Sequence, residues 1–238
     1  ETASYEAVTP LINMNYDGLK TAIIEMLSGA NVKVDTATFK NDTVNIHSKD
    51  DVLTYMIHLG YLGYDFSHKS VFIPNNEIRG EFVNAVSVSQ WGEVSKALKN
   101  SADLLNAIWR KDEEKVAVYM EQAHFETSHL QYNNENALSY TVSLALYAAR
   151  NFYRVYREFP SGSGFADIVY LPRKEFPDKP ALIVELKWNK SAEGAIHQIL
   201  KKQYFQNLED YSGNMLLVGI NYDLKTRKHE CKILEFKK

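Results

Sequence analysis

The stretch GFADIVYLPRKEFPDKPALIVELKWNKSAEGAIHQIL, residues 164–200, decides the fold. Gly164–Leu171 and Ala181–Trp188 are rich in β-branched and aromatic residues, which predicts two strands. The loop between Pro172 and Pro180 is short enough for a hairpin, so these strands run antiparallel. Ser191 is placed as the N-cap of a helix that runs to about Tyr211. By the two-residue period, Phe165, Asp167 and Val169 share one face of the first strand. Ile183, Glu185 and Lys187 share one face of the second.

An acid and a lysine two residues apart, closing an otherwise apolar strand, are costly unless paired or coordinated. Two readings stand. One is a structural ion pair of Lys187 with Glu185 or Asp167. The other is a reactive site, with the hairpin bringing Asp167 beside Glu185. Paired carboxylates are hard oxygen ligands suited to Mg²⁺. A neighbouring lysine then holds a water or a phosphate, and these are the parts that phosphodiester hydrolysis needs.

Working outward, residues 135–150 are apolar on nearly all sides and predict a buried helix. Strands are expected at Phe152–Glu158, Met215–Tyr222 and His229–Phe236, giving the order α-β-β-β-α-β-β and a mixed sheet. Upstream, helices are expected at 16–29, 50–64, Glu77–Val86, 89–108 and 111–126, with an extended piece at Ser70–Ile73. These features divide the chain into residues 1–97, an all-helical or winged-helix-like module, and residues 98–238, an α/β domain. A winged helix often reads DNA, but this one is acidic and shows no run of Lys or Arg on its third helix, so packing or docking is its plainer role.

The chain has 238 residues, 45% hydrophobic and 24% charged, the make-up of an ordinary globular protein. One cysteine, Cys231, excludes an internal disulfide and a cysteine-based zinc site. No apolar run approaches the ~20 residues of a membrane helix, and no signal peptide is recognisable, so a cytoplasmic address and no membrane partner are expected. The chain opens at Glu1 without Met, which suggests a piece of something longer. Residues 1–126 carry 11 Lys/Arg against 18 Asp/Glu, a balance of −7; residues 127–238 carry 16 against 12, a balance of +4. A polyanionic partner is therefore expected in the second half.

With these residues in view, the sequence resembles the PD-(D/E)XK, restriction-endonuclease-like nuclease superfamily. It is similar, more narrowly, to a bacterial group in which such a domain follows an AAA-like ATPase. The resemblance is carried by REFPSGSGFADIVYLPRK (157–174), PALIVELKWNKSAEGAIHQI (180–199), KKQY (201–204) and LLVGINYD (216–223). NENALSYTVSLALYAAR (134–150) and SKDDVLTYMIHLGYLGYD (48–65) fit that group as well. Two departures stand out. Ala166 replaces the proline before the first acid, and no GxxxxGK[ST] motif occurs, so the ATPase is missing.

The resemblance implies a restriction-endonuclease-like α-β-β-β-α-β core and Mg²⁺-dependent cleavage of nucleic acid, DNA before RNA, with Mn²⁺ as a substitute. Asp167, Glu185 and the Leu186 carbonyl would be metal ligands, and Lys187 would position water and stabilise charge on the phosphate. Glu135 corresponds to a further metal-site acid of some relatives, or is simply an acid at a helix N-terminus. Gln198 matches a glutamine on the helix after the ExK strand. Tyr204, six residues on, falls off the face of Gln198, whereas Lys202 lies on it. Arg157, Lys190 and Lys201 are candidate phosphate contacts, and an ATPase domain or subunit is an expected partner. The alternative is a non-catalytic nucleic-acid-binding or regulatory module of an ATPase-linked system. His124 and His129 are spaced wrongly for one helical face, so metal binding by them is not expected. Ser161 and Ser163 lack a His–Asp arrangement, which argues against a serine hydrolase.

Overall fold

The computed structural model describes residues 8–14, 16–39, 46–89, 91–126, 135–161, 164–205, 208, 211 and 213–237. The chain divides into two compact units, residues 1–96 and 97–238.

In the first unit, helices α1 (Val8–Ile12), α2 (Leu19–Ser28), α3 (Lys49–His58) and α4 (Asn76–Val88) accompany strands β1 (Val32–Lys33), β2 (Gly63–Asp65) and β3 (Ser70–Phe72). The strands pair antiparallel in the order β1-β3-β2. Helix, strand, helix and hairpin, with the hairpin's second strand returning to the first, is a winged-helix-like arrangement. The expected helix 50–64 is therefore too long. It stops at His58, Gly60 turns the chain with φ 80°, and Gly63 begins the hairpin because the Phe72 ring lies where a Cβ would be. Gly29, left-handed at φ 98°, closes α2. The guanidinium of Arg79, buried on α4, donates to the Met26 and Leu27 carbonyls at 3.0 Å each, the first of which also accepts the Gly29 N–H.

The second unit takes in most of α5 (Gly92–Trp109), then α6 (Glu113–Glu126), α7 (Glu135–Ala145), a 3₁₀ turn at Tyr147–Asn151, β4 (Tyr153–Ser161), β5 (Gly164–Pro172), β6 (Ala181–Trp188), α8 (Ala192–Lys202), β7 (Met215–Asp223) and β8 (Lys228–Phe236). The five strands lie in sequence order. Only β6 and β7 are parallel, joined by α8 as a crossover. Elements α7 through β7 form the α-β-β-β-α-β core of a restriction-endonuclease-like fold, with β8 added antiparallel to β7.

Alternation sorts β6 and β7 between two apolar layers. Leu182, Val184, Leu186, Leu216, Val218 and Ile220 pack with α5, α6 and α7. Ala181, Ile183, Met215 and Leu217 pack with Ile196 and Ile199 of α8. Burial on both faces makes these the central strands. Gly219 is required by close approach: a Cβ there would sit 2.4 Å from the Ala192 carbonyl oxygen and 2.9 Å from the Ala195 Cβ. Its absence seats α8 directly on β7, beside Glu185, the cross-strand partner of Gly219.

Two expectations about local structure are corrected. Helix α8 ends at Lys202, because Gln203 adopts a left-handed conformation (φ 53°, ψ 45°). In β5 it is Ala166, fully buried, that joins Val169 in the α8-facing layer, while Phe165 is 62% exposed. The alternation slips between them. The β4–β5 ladder runs through Arg157↔Ile168 and Phe159↔Ala166 but omits Glu158 and Asp167, and Glu158 has φ 48°. A positive φ in a non-glycine residue marks this local irregularity. Among the described residues no helix is long and apolar enough to cross a membrane.

Candidate active site

The slip in β5 places Asp167 at the end of the ladder with β6, whose last regular pair is Ile168↔Val184. Beyond it the Asp167 side chain takes over a backbone role: Oδ2 accepts the Leu186 N–H at 2.7 Å. One strand residue before, Glu185 is 1% exposed, and one after, Lys187 is 7% exposed. The Lys187 ammonium donates to Glu185 Oε1 at 2.7 Å and to the Leu186 carbonyl at 3.1 Å. Glu185 Oε1 also accepts from Gln198 Nε2. Glu185 Oε2 is buried and, among the described residues, has no hydrogen-bond partner.

Electrostatics follow from this packing. Burial, reinforced by the nearby Asp167 charge, pushes the Glu185 carboxyl up to about 7 against the opposing pull of Lys187 and Lys202. A carboxylate so placed gains from a further positive charge, and its unpartnered Oε2 is an oxygen ligand in waiting. Glu185, Asp167 and the Leu186 carbonyl are all hard donors, which fits a hard divalent cation. Among the described residues no group of three or more His, Cys, Asp and Glu side chains is placed to hold a metal, so such a set would rest on two carboxylates, a carbonyl and water.

Gln198 lies on α8 and donates to Glu185. The expectation for Tyr204 is corrected. Because Gln203 reverses the chain, Tyr204 is fully buried and its hydroxyl accepts from Gln198 Nε2 at 3.0 Å. Gln198 therefore links Glu185 to Tyr204. The sequence signal was slight, since Gln is not the glycine usually found at such a cap.

Arg157 is not brought to this cluster. It pairs across the sheet with Ile168, on the face away from α8, and donates to Ser139 Oγ on α7 at 2.7 Å. Lys190 and Lys201 are exposed, on the β6–α8 loop and the last turn of α8; the Lys190 N–H is held by Asn221 Oδ1 at 3.0 Å. Glu135 opens α7, and its side chain lies outside the described residues. So do His129 and Ser163, while His124 packs against Tyr222 and His229.

A mixed five-stranded sheet thus carries Asp167 and Glu185-Leu186-Lys187 at one strand end. Residues 134–232 match the family model described as PD-(D/E)XK nuclease superfamily. No curated protein and no solved structure matches the chain. That family implies a nucleic-acid substrate, and its nucleases generally use divalent metal ions.

Proposed function

We propose that residues 98–238 form a Mg²⁺-dependent nuclease that hydrolyses phosphodiesters of DNA, with Mn²⁺ able to substitute. The observation that carries this reading is the buried Glu185 carboxylate beside Asp167, bonded to Lys187 on one oxygen and, among the described residues, unpartnered on the other. In this reading Asp167, Glu185 and the Leu186 carbonyl hold the ion. When bound, a divalent cation supplies charge to the phosphate oxygens and lowers the pKa of a coordinated water. The chain's own residues do the rest. Gln198, backed by Tyr204, fixes Glu185. The Lys187 ammonium stands ready to move from Glu185 Oε1 to a water or a phosphate oxygen as charge builds. Water oxygen bonds to phosphorus, the bond to one nucleoside oxygen breaks, and that oxygen takes up a proton, leaving a phosphomonoester and a hydroxyl.

The resemblance supports an ATPase domain or subunit as partner. A second reading, a non-catalytic nucleic-acid-binding or regulatory module, draws on the same ion pair, since Lys187 and Glu185 already neutralise each other. A gel assay with Mg²⁺ or Mn²⁺ on single-stranded, duplex and supercoiled DNA separates the two. Metal-dependent cleavage is expected; binding without cleavage under all of these conditions favours the second reading.

A further inference from the structure

Lys202, the last residue of α8, is half-buried. Its side chain lies across Gly164, the first residue of β5: a Cβ added there would sit 3.0 Å from Nζ and 3.1 Å from Cδ. No positive φ requires glycine at this position, so what Gly164 provides is room for the lysine. The ammonium stands 5.9 Å from the centre of the Tyr204 ring, close enough to Glu185 to favour its charged form. The two cations here differ in their engagement. Lys187 is committed to Glu185 Oε1 and the Leu186 carbonyl. Among the described residues, Lys202 makes no hydrogen bond or ion pair. A half-buried ammonium with no ion-paired anion among the described residues gains from an incoming anion.

We propose that Lys202 is a phosphate-binding residue of this site, its ammonium taking a non-bridging oxygen of the nucleic-acid backbone while Gly164 leaves the space it occupies. The inference rests on the nuclease reading and adds a residue to it. A lysine suits the task as a compact point charge.

The test compares wild type, Lys202→Met, Lys202→Arg and Gly164→Ala in the full chain. Two readouts are used: Mg²⁺-dependent cleavage of single-stranded and supercoiled DNA, and salt-dependent binding of a DNA oligonucleotide in EDTA. Lys202→Met is expected to lower kcat by about 10²-fold, the usual loss of one charge-stabilising donor. It should also reduce the slope of log K against log salt by about 0.7–0.9. Lys202→Arg should restore most of both, and Gly164→Ala, which displaces the lysine without removing charge, should fall between. Melting temperatures show whether each variant is folded. Cleavage and salt slope unchanged in Lys202→Met would overturn the proposal and leave the nuclease reading standing. A wild type that binds without cutting still decides Lys202 through the salt slope; a wild type that neither cuts nor binds overturns both.

Discussion

The carboxylate of Asp167 accepts the backbone N–H of Leu186 at 2.7 Å, standing in for a strand carbonyl where the β5–β6 ladder ends. One side chain thus closes the hairpin and comes within electrostatic reach of Glu185. Its two roles separate by substitution. Asp167→Asn keeps an acceptor for Leu186 and should melt near wild type while losing metal-dependent cleavage. Asp167→Ala leaves a buried N–H unpaired and should cost about 1–3 kcal/mol as well. Thermal melts and cleavage assays on the two variants check this.

Among the described residues, Lys187 is the one ion-pair partner of Glu185, and both are nearly inaccessible. Removing it in Lys187→Ala strands a buried carboxyl, which then favours its protonated form. The expected outcome is no cleavage and a stability loss of about 1–3 kcal/mol. Added Mg²⁺ should recover part of the lost melting temperature, because a bound cation replaces the missing positive charge. A melt with and without Mg²⁺ measures both effects.

Much of this unit is readable from sequence, and the failures share a cause. Strand Ala181–Trp188 and the Ser191 cap are found where periodicity and cap chemistry place them, because a doubly buried strand and an N-cap each leave a local signature. The end of α8 leaves none. Residues 203–211 lack a glycine or proline, so nothing local announces the left-handed Gln203 or the return of Tyr204 onto Gln198. The face slip at Asp167 is equally silent, being settled by Glu158 on the neighbouring strand and by the Leu186 N–H. Lys187 and Glu185 are legible as a pair, but the distinction between Lys201 and Lys202 depends on the space above Gly164.

A buried histidine, His229, beside the half-buried His124 gives the fold a pH dependence. His229 is buried and, among the described residues, neither of its ring nitrogens is hydrogen-bonded; its ring centroid lies 5.1 Å from that of His124 and 4.9 Å from that of Tyr222. Burial holds His229 down at about 3 and His124 at about 4. Both stay neutral in the folded chain, while the unfolded chain takes up protons below its ordinary histidine pKa of ~6.5. Stability is therefore full above about pH 6.5 and lost as pH falls toward 3–4. His229→Phe should flatten the fall in denaturant midpoint between pH 6.5 and 4, removing a loss on the order of 1–3 kcal/mol.

In the first unit, Arg79 bonds two carbonyls at the end of α2 from inside the core. Arg79→Met keeps apolar bulk but leaves the Met26 and Leu27 carbonyls without this donor. A loss of about 1–3 kcal/mol is expected, read as a lower denaturant midpoint, with DNA cleavage by the remaining folded protein unchanged.

Cleavage of supercoiled DNA by wild type and Glu185→Ala, each with Mg²⁺ and with EDTA, tests the central assignment most directly. The account predicts cutting only by wild type with Mg²⁺, with Glu185→Ala folded and inactive. Equal cutting by both proteins, or cutting by wild type that persists in EDTA, would contradict it.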